Sequence, residues 1–234
     1  MIPVLAGAAV LSAAGVFAYG VRHPASTLFA PSVHRGPKTR RAIALTFDDG
    51  PTPMTPKLLE ILTKHGAKAT FFQCGAQVER NPQIAREIAS LGFEIANHTQ
   101  THPAFYFKAP AFMRDEVARA QRAIEQTIGQ SPRWFRPPYG IRWPGLGEVL
   151  RQHHLQGVMW TVIGHDWRLD AKAVAERVRS DIGPGSIVCL HDGRGLAESP
   201  DITSTIEATR VLVPELLQHG FRLETVSDLL CPTN

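Results

Sequence analysis

Five short stretches of the chain hold residue types able to do hydrolytic chemistry. Thr46-Phe47-Asp48-Asp49-Gly50-Pro51 carries two adjacent carboxylates. Such neighbours repel, and a cation is the usual means of keeping both ionised. One can then bind a metal while the other, pointing elsewhere, accepts a proton. Asp49-Gly50-Pro51 alone also reads as plain turn chemistry. His98-Thr99-Gln100-Thr101-His102 places two imidazoles four residues apart, able to meet one zinc ion from a helical turn or a tight loop. With ten histidines in the chain such a pair arises readily by chance, so its weight comes from position. In Arg133-Trp134-Phe135-Arg136-Pro137-Pro138-Tyr139-Gly140 the prolines stiffen a loop that could aim the Tyr139 N–H at a developing oxyanion. Arg136 could pair with one of the aspartates, although a rigid surface turn is the plainer alternative. His191 ends the apolar run Ile187–Leu190, and Asp166 lies in the stretch from Trp160 to Trp167. A carboxylate beside this imidazole would raise its pKa and keep it ready to protonate a leaving amine.

These residues need a scaffold that brings them together. Short apolar runs recur at Ala42–Phe47, Ala69–Phe72, Phe93–Ala96, Arg133–Phe135, Gly157–Val162, Ser186–Leu190 and Arg222–Val226. Amphipathic stretches with helix punctuation lie between them. Thr55-Pro56 opens one that Gly66 closes, Asn81-Pro82 opens another that Gly92 closes, and Gly129 follows a long one over Phe112–Ile128. Further helices fit Leu146–His154, Ala171–Ile182 and Thr203–Gln218. About seven strand–helix alternations predict an α/β fold, a parallel sheet with outer helices. An open doubly wound sheet and a closed barrel fit equally, and both put function at the carboxyl ends of strands. Asp49, His98, His102 and His191 all lie at such ends.

The 234 residues suffice for one catalytic domain and a short appendage. Net charge is +4 with the positives scattered, which argues against nucleic acid as a partner. Cys74, Cys189 and Cys231 form no metal-finger spacing and read as buried free thiols. Residues 1–22 are apolar, with Arg22 the first charge; a membrane anchor, an export signal and a soluble apolar helix all fit. As an anchor, the positives that follow, Arg22 to Arg41, would favour a cytoplasmic domain, at odds with a cell-wall substrate. Residues 23–41 read as a linker, and 42–231 as the catalytic domain. A monomer is expected, membrane-associated or exported from a bacterial cell, with the membrane side open.

Taken in order, the motifs from Thr46 to His191 resemble the polysaccharide deacetylase family, the NodB-homology or carbohydrate esterase family 4 enzymes. The resemblance covers about Ala42 to Leu230 and implies a distorted (β/α)7 barrel. By resemblance, Asp48 is the general base, and Asp49, His98 and His102 hold a divalent cation, zinc or alternatively cobalt. Arg136 steadies Asp48, Tyr139 supplies the oxyanion N–H, Asp166 tunes the general acid His191, and Trp167 and Leu190 line the acyl pocket. The implied activity is N-deacetylation of an N-acetylglucosamine-containing oligo- or polysaccharide, of chitooligosaccharide or peptidoglycan type. Deacylation or deformylation of a lipid-linked amino sugar, O-deacetylation of xylan, and glycan binding by an inactive site are alternatives. His165, Cys189 and the loop from Arg194 to Asp201 depart from the family pattern. Cys189 adds a thiol able to oxidise or bind metal.

Overall fold

The computed structural model describes residues 13–231. Nine strands form one curled parallel sheet: β1 (Ser32–Val33), β2 (Ala42–Asp48), β3 (Thr70–Gln73), β4 (Glu94–Asn97), β5 (Trp134–Phe135), β6 (Gln156–Val158), β7 (Val162–Ile163), β8 (Ile187–His191) and β9 (Arg222–Glu224). Their order is β1-β6-β5-β4-β3-β2-β8-β7, with β9 beside the start of β2. Around the sheet run α1 (residues 13–22), α2 (Thr55–Lys64), α3 (Gly75–Arg80), α4 (Pro82–Ser90), α5 (Pro110–Ile128), α6 (Leu146–Gln152), α7 (Ala171–Asp181), α8 (Thr203–Gln218) and α9 (Val226–Leu230). This is the distorted (β/α) barrel.

The two-residue period of a strand decides which side chains reach the site. In β2, Ile43, Leu45 and Phe47 face outward into the large core beneath the helices, each contributing about 1.5–3 kcal/mol by burial. Ala42 and Ala44 face the barrel interior, packed with Phe72, Ala96, Trp134, Val158 and Ile187. Thr46 and Asp48 continue that inner row, so small residues fill the floor and a carboxylate tops it. In β8, Val188 and Leu190 belong to the outer core, leaving Ile187, Cys189 and His191 on the inner row.

Residues 23–41, expected as a linker, are instead a strap integrated with the barrel. β1 pairs with β6, and Arg35 bridges to Ser186. Buried Arg142 donates its guanidinium to the carbonyls of His23, Pro24 and Ser26. No hydrophobic period betrays this, because backbone bonds and one distant arginine hold the strap. Of the apolar segment over 1–22, residues 1–12 lie outside the described residues. α1 rests on the barrel through Val21 and Phe17, whose ring meets Phe29 and Trp143 at 5.1 and 5.4 Å. Among the described residues no helix is long and apolar enough to cross a membrane, so the transmembrane expectation finds no support there.

Candidate active site

The upper rim of the barrel surrounds a cavity of about 610 Å³ lined by Asp48, Asp49, His98, His102, Tyr139 and His191. Trp160, Ile163, His165, Trp167, Cys189, Arg194, Arg22 at the end of α1 and Pro24 from the strap also face it. Four of the non-glycine linings have positive φ: Asp49 (79°), His102 (54°), Tyr139 (57°) and His165 (55°). Non-glycine side chains accept this region at a cost that surrounding packing must offset, and such residues gather at functional sites.

Asp49 leaves β2 and meets two imidazoles. Its Oδ1 lies 3.3 Å from His98 Nε2 and 2.9 Å from His102 Nε2, and it receives no well-formed hydrogen bond. His98 Nδ1 is 2.7 Å from the Arg136 carbonyl. That carbonyl fixes the proton on Nδ1 and frees Nε2 for a cation. The histidines converge through a tight loop, with Thr99 and His102 left-handed, and not through a helix. Buried Glu116 holds the loop by accepting from the Thr101 N–H and hydroxyl. A carboxylate oxygen without a donor between two open imidazole nitrogens suits a divalent cation, and three protein ligands leave a coordination position free. Burial alone would raise the Asp49 pKa, but His102 and His98 beside it hold the carboxyl well below the usual range.

Asp48 points into the cavity beside this cation site. Arg136, itself fully buried, donates from Nη1 to Asp48 Oδ1 at 2.6 Å and to Thr46 Oγ1 at 2.7 Å. Its other nitrogens reach the Val158 and Met159 carbonyls, and its plane lies 4.0 Å over the Phe72 ring. The other Asp48 oxygen, Oδ2, accepts from Cys189 Sγ at 3.4 Å.

Across the cavity, Asp166 Oδ1 is 2.9 Å from His191 Nδ1, while its Oδ2 accepts from the His191 backbone N–H and from Thr205 Oγ1. Burial would depress the His191 pKa, but Asp166, helped by Asp49 and Asp48, drives it up to about 9. Trp167 sets its ring edge against His191 at a centroid distance of 5.0 Å. Tyr139 sits in a short 3₁₀ turn over Pro138–Gly140 with its ring against His102.

Leu190 is the exception. It is fully buried in the outer core and does not line the cavity, because strand parity sends His191 and Cys189 inward. The inner wall near Asp48 is Cys189, with Ile163 and Trp160.

Three contributors went unassigned in the sequence. Gly195 N–H donates to Asp49 Oδ2 at 2.8 Å, from the loop flagged only as a departure. Arg194 Nη2 donates to the Asp166 carbonyl. Buried Asp192 accepts from Gly50 N–H and Thr55 Oγ1, tying the turn after Asp49 to the end of β8. Burial, then Asp49 and Asp48, push its pKa up to about 7. Its place directly after His191 was the one available signal. His165 turns Nδ1 toward Arg168 at 2.8 Å and is absent from the cation site.

The family model for polysaccharide deacetylase matches residues 35–158. A chitooligosaccharide deacetylase of Bradyrhizobium sp. (strain ANU 289) is 38% identical over 198 residues, covering 81% of this chain and 90% of that protein. A solved peptidoglycan N-acetylglucosamine deacetylase superposes with a TM-score of 0.81 at 28% identity, covering 86% of this chain and 94% of that one. A pseudoenzyme of carbohydrate esterase family 4 from Bacillus anthracis superposes at 0.78 with 31% identity, over 86% and 69% of the two chains. The chain belongs to the polysaccharide deacetylase family, whose members include named deacetylases that hydrolyse an amide C–N bond. It is such a hydrolase, and Asp49, His98 and His102 are a group able to hold a divalent cation.

Proposed function

We propose that the enzyme removes N-acetyl groups from N-acetylglucosamine residues of an oligo- or polysaccharide, with zinc as its cation. One observation carries the reading: an Asp–His–His cation site, an arginine-held carboxylate and an aspartate-held imidazole all face one cavity. The relatives named for chitooligosaccharide and peptidoglycan N-acetylglucosamine support the substrate. The presence of Asp48 and His191 together favours turnover over glycan binding by an inactive site, since binding alone needs no acid–base pair.

Asp49, His98 and His102 would hold the cation, which when bound would supply a Lewis acid for the acyl oxygen and acidify water beside it. Asp48, held by Arg136 with Oδ2 facing inward, accepts the proton of the attacking water. The Tyr139 N–H donates to the developing oxyanion. His191, protonated through Asp166, delivers its proton to the departing amine nitrogen, which completes C–N cleavage. Cys189, Ile163, Trp160 and Trp167 wall the space for a small acyl group.

The apolar amino terminus supports a membrane-facing placement: residues 1–21 carry no charge, and Val16, Phe17 and Tyr19 on α1 are exposed. Incubation with chitooligosaccharides and peptidoglycan fragments tests the substrate, with acetate and product mass measured before and after chelation. Acetate release that zinc restores is the expected result. Formate release, or turnover only on a lipid-linked amino sugar, would replace the substrate assignment.

A further inference from the structure

Cys189 adds to the proposed base and acid a soft donor that the hydrolytic chemistry does not use. Asp48, Cys189 and His191 each offer one ligand atom, and these atoms lie within 4.8 Å of one another. A tetrahedral zinc ion, with bonds of about 2.0–2.3 Å to nitrogen, oxygen and sulfur, spans ligand atoms separated by about 3.3–4 Å. The Cys189 Sγ to Asp48 Oδ2 distance is 3.4 Å. Arg136 occupies the opposite oxygen, Oδ1, and so leaves Oδ2 to the cavity. Asp166 holds His191 at Nδ1, which leaves Nε2 as the nitrogen open to a ligand. A carboxylate behind a histidine is the support that metal-binding imidazoles generally have.

We propose that Asp48, Cys189 and His191 form a second, inhibitory site for a thiophilic divalent cation, taken up after the Asp49–His98–His102 site is filled. The carboxylate, the thiolate and a neutral imidazole become its ligands. The thiol proton leaves Sγ, any imidazolium proton leaves Nε2, and both pass to buffer. The softness of sulfur selects zinc in excess or cadmium over magnesium and calcium. The cation takes both the proposed base and the proposed acid out of use, so inhibition follows from occupancy. Binding itself does not depend on which acyl substrate the enzyme turns over.

The test uses full-length protein carrying Cys231→Ser, which removes the exposed thiol. Cadmium titration is followed through thiolate-to-metal charge-transfer absorption, and zinc stoichiometry through competition with a chromophoric chelator. The expected result is two zinc equivalents and a charge-transfer band on the second cadmium equivalent. With Cys189→Ser or Cys189→Ala added, the band disappears and the second equivalent weakens at least tenfold. Deacetylase activity, normalised for each variant to its one-equivalent value, falls with excess zinc in the Cys189 protein and resists at least tenfold more zinc in the variants. One equivalent in every protein, or a band that survives loss of Cys189, overturns the site. Because stoichiometry and absorption need no turnover, a protein inactive on every glycan tested still decides the question.

Discussion

Replacing Asp166 by Asn removes one charge while keeping an oxygen to accept from His191 Nδ1. The rise of His191 from an ordinary 6.5 to about 9 corresponds to about 3 kcal/mol of preference for the charged form. Burial, the largest influence, works the other way and remains in the variant, while a cation at Asp49 offsets that residue's help. The His191 pKa of Asp166→Asn therefore falls to about 6.5 or below. At pH 7.5 an imidazole with a pKa of about 9 is about 97% protonated, and one at 6.5 about 9%. The expected loss of kcat/KM is thus about tenfold at pH 7.5, more at pH 8.5, and shrinks toward pH 6. The assay is acetate release from a chitooligosaccharide across pH 5.5–9.5. The basic limb moves from near 9 toward 6.5 if His191 is the acid. An unmoved basic limb, or the same fractional loss at every pH, would refute the reasoning. The sign for folding runs with it. His191 is raised in the fold, so its contribution is whole below about pH 6.5 and is lost as pH climbs through about 9.

Asp48→Asn should lower kcat by orders of magnitude while zinc stoichiometry at the Asp49 site stays at one, and near-normal turnover would remove Asp48 as the base. Acid should weaken the fold through Asp49, whose contribution is present above the ordinary carboxylate range and is lost as pH falls through its depressed pKa; denaturant midpoints measured down the acid range with Asp49→Asn as reference check this. Arg142→Met leaves the strap carbonyls of His23, Pro24 and Ser26 without their donor, and should cost about 2–3 kcal/mol of stability with faster proteolysis near residues 24–36. Flotation with phospholipid vesicles should carry the full chain upward, and a Val16→Ser, Tyr19→Ser variant less so; equal partition of the two would remove the membrane-facing placement.

The chemistry was legible because it sits where strand patterns end. Asp48 closes β2 and Asp49 follows it, His98 and His102 follow β4, and His191 closes β8. Parallel strands deliver their carboxyl ends to one rim, so a one-dimensional pattern implied the three-dimensional meeting. The punctuation of α2, α4 and α5 was legible for a similar reason: Gly66, Gly92 and Gly129 take positive φ at the helix ends where the next strand must begin. β1 and α9 were not, since strands and helices this short carry too few residues for a period, and their neighbours in the fold decide them.

The sequence by itself determined most of the strand–helix alternation and, through its resemblance to a family, the candidate cation ligands, base and acid, each a residue type at the carboxyl end of a strand. Only the tertiary structure decided which face of β8 meets the cavity. A one-residue step along a strand reverses the side chain, so the pocket wall is Cys189 and Leu190 belongs to the outer core. The structure also decided that the Gly195 N–H and the Asp192 carboxylate brace the cation loop, and that residues 23–41 are strapped onto the barrel. Those contacts join backbone groups or single side chains more than a hundred residues apart. No local pattern of hydrophobicity or charge encodes such a pairing; it exists once the barrel has closed.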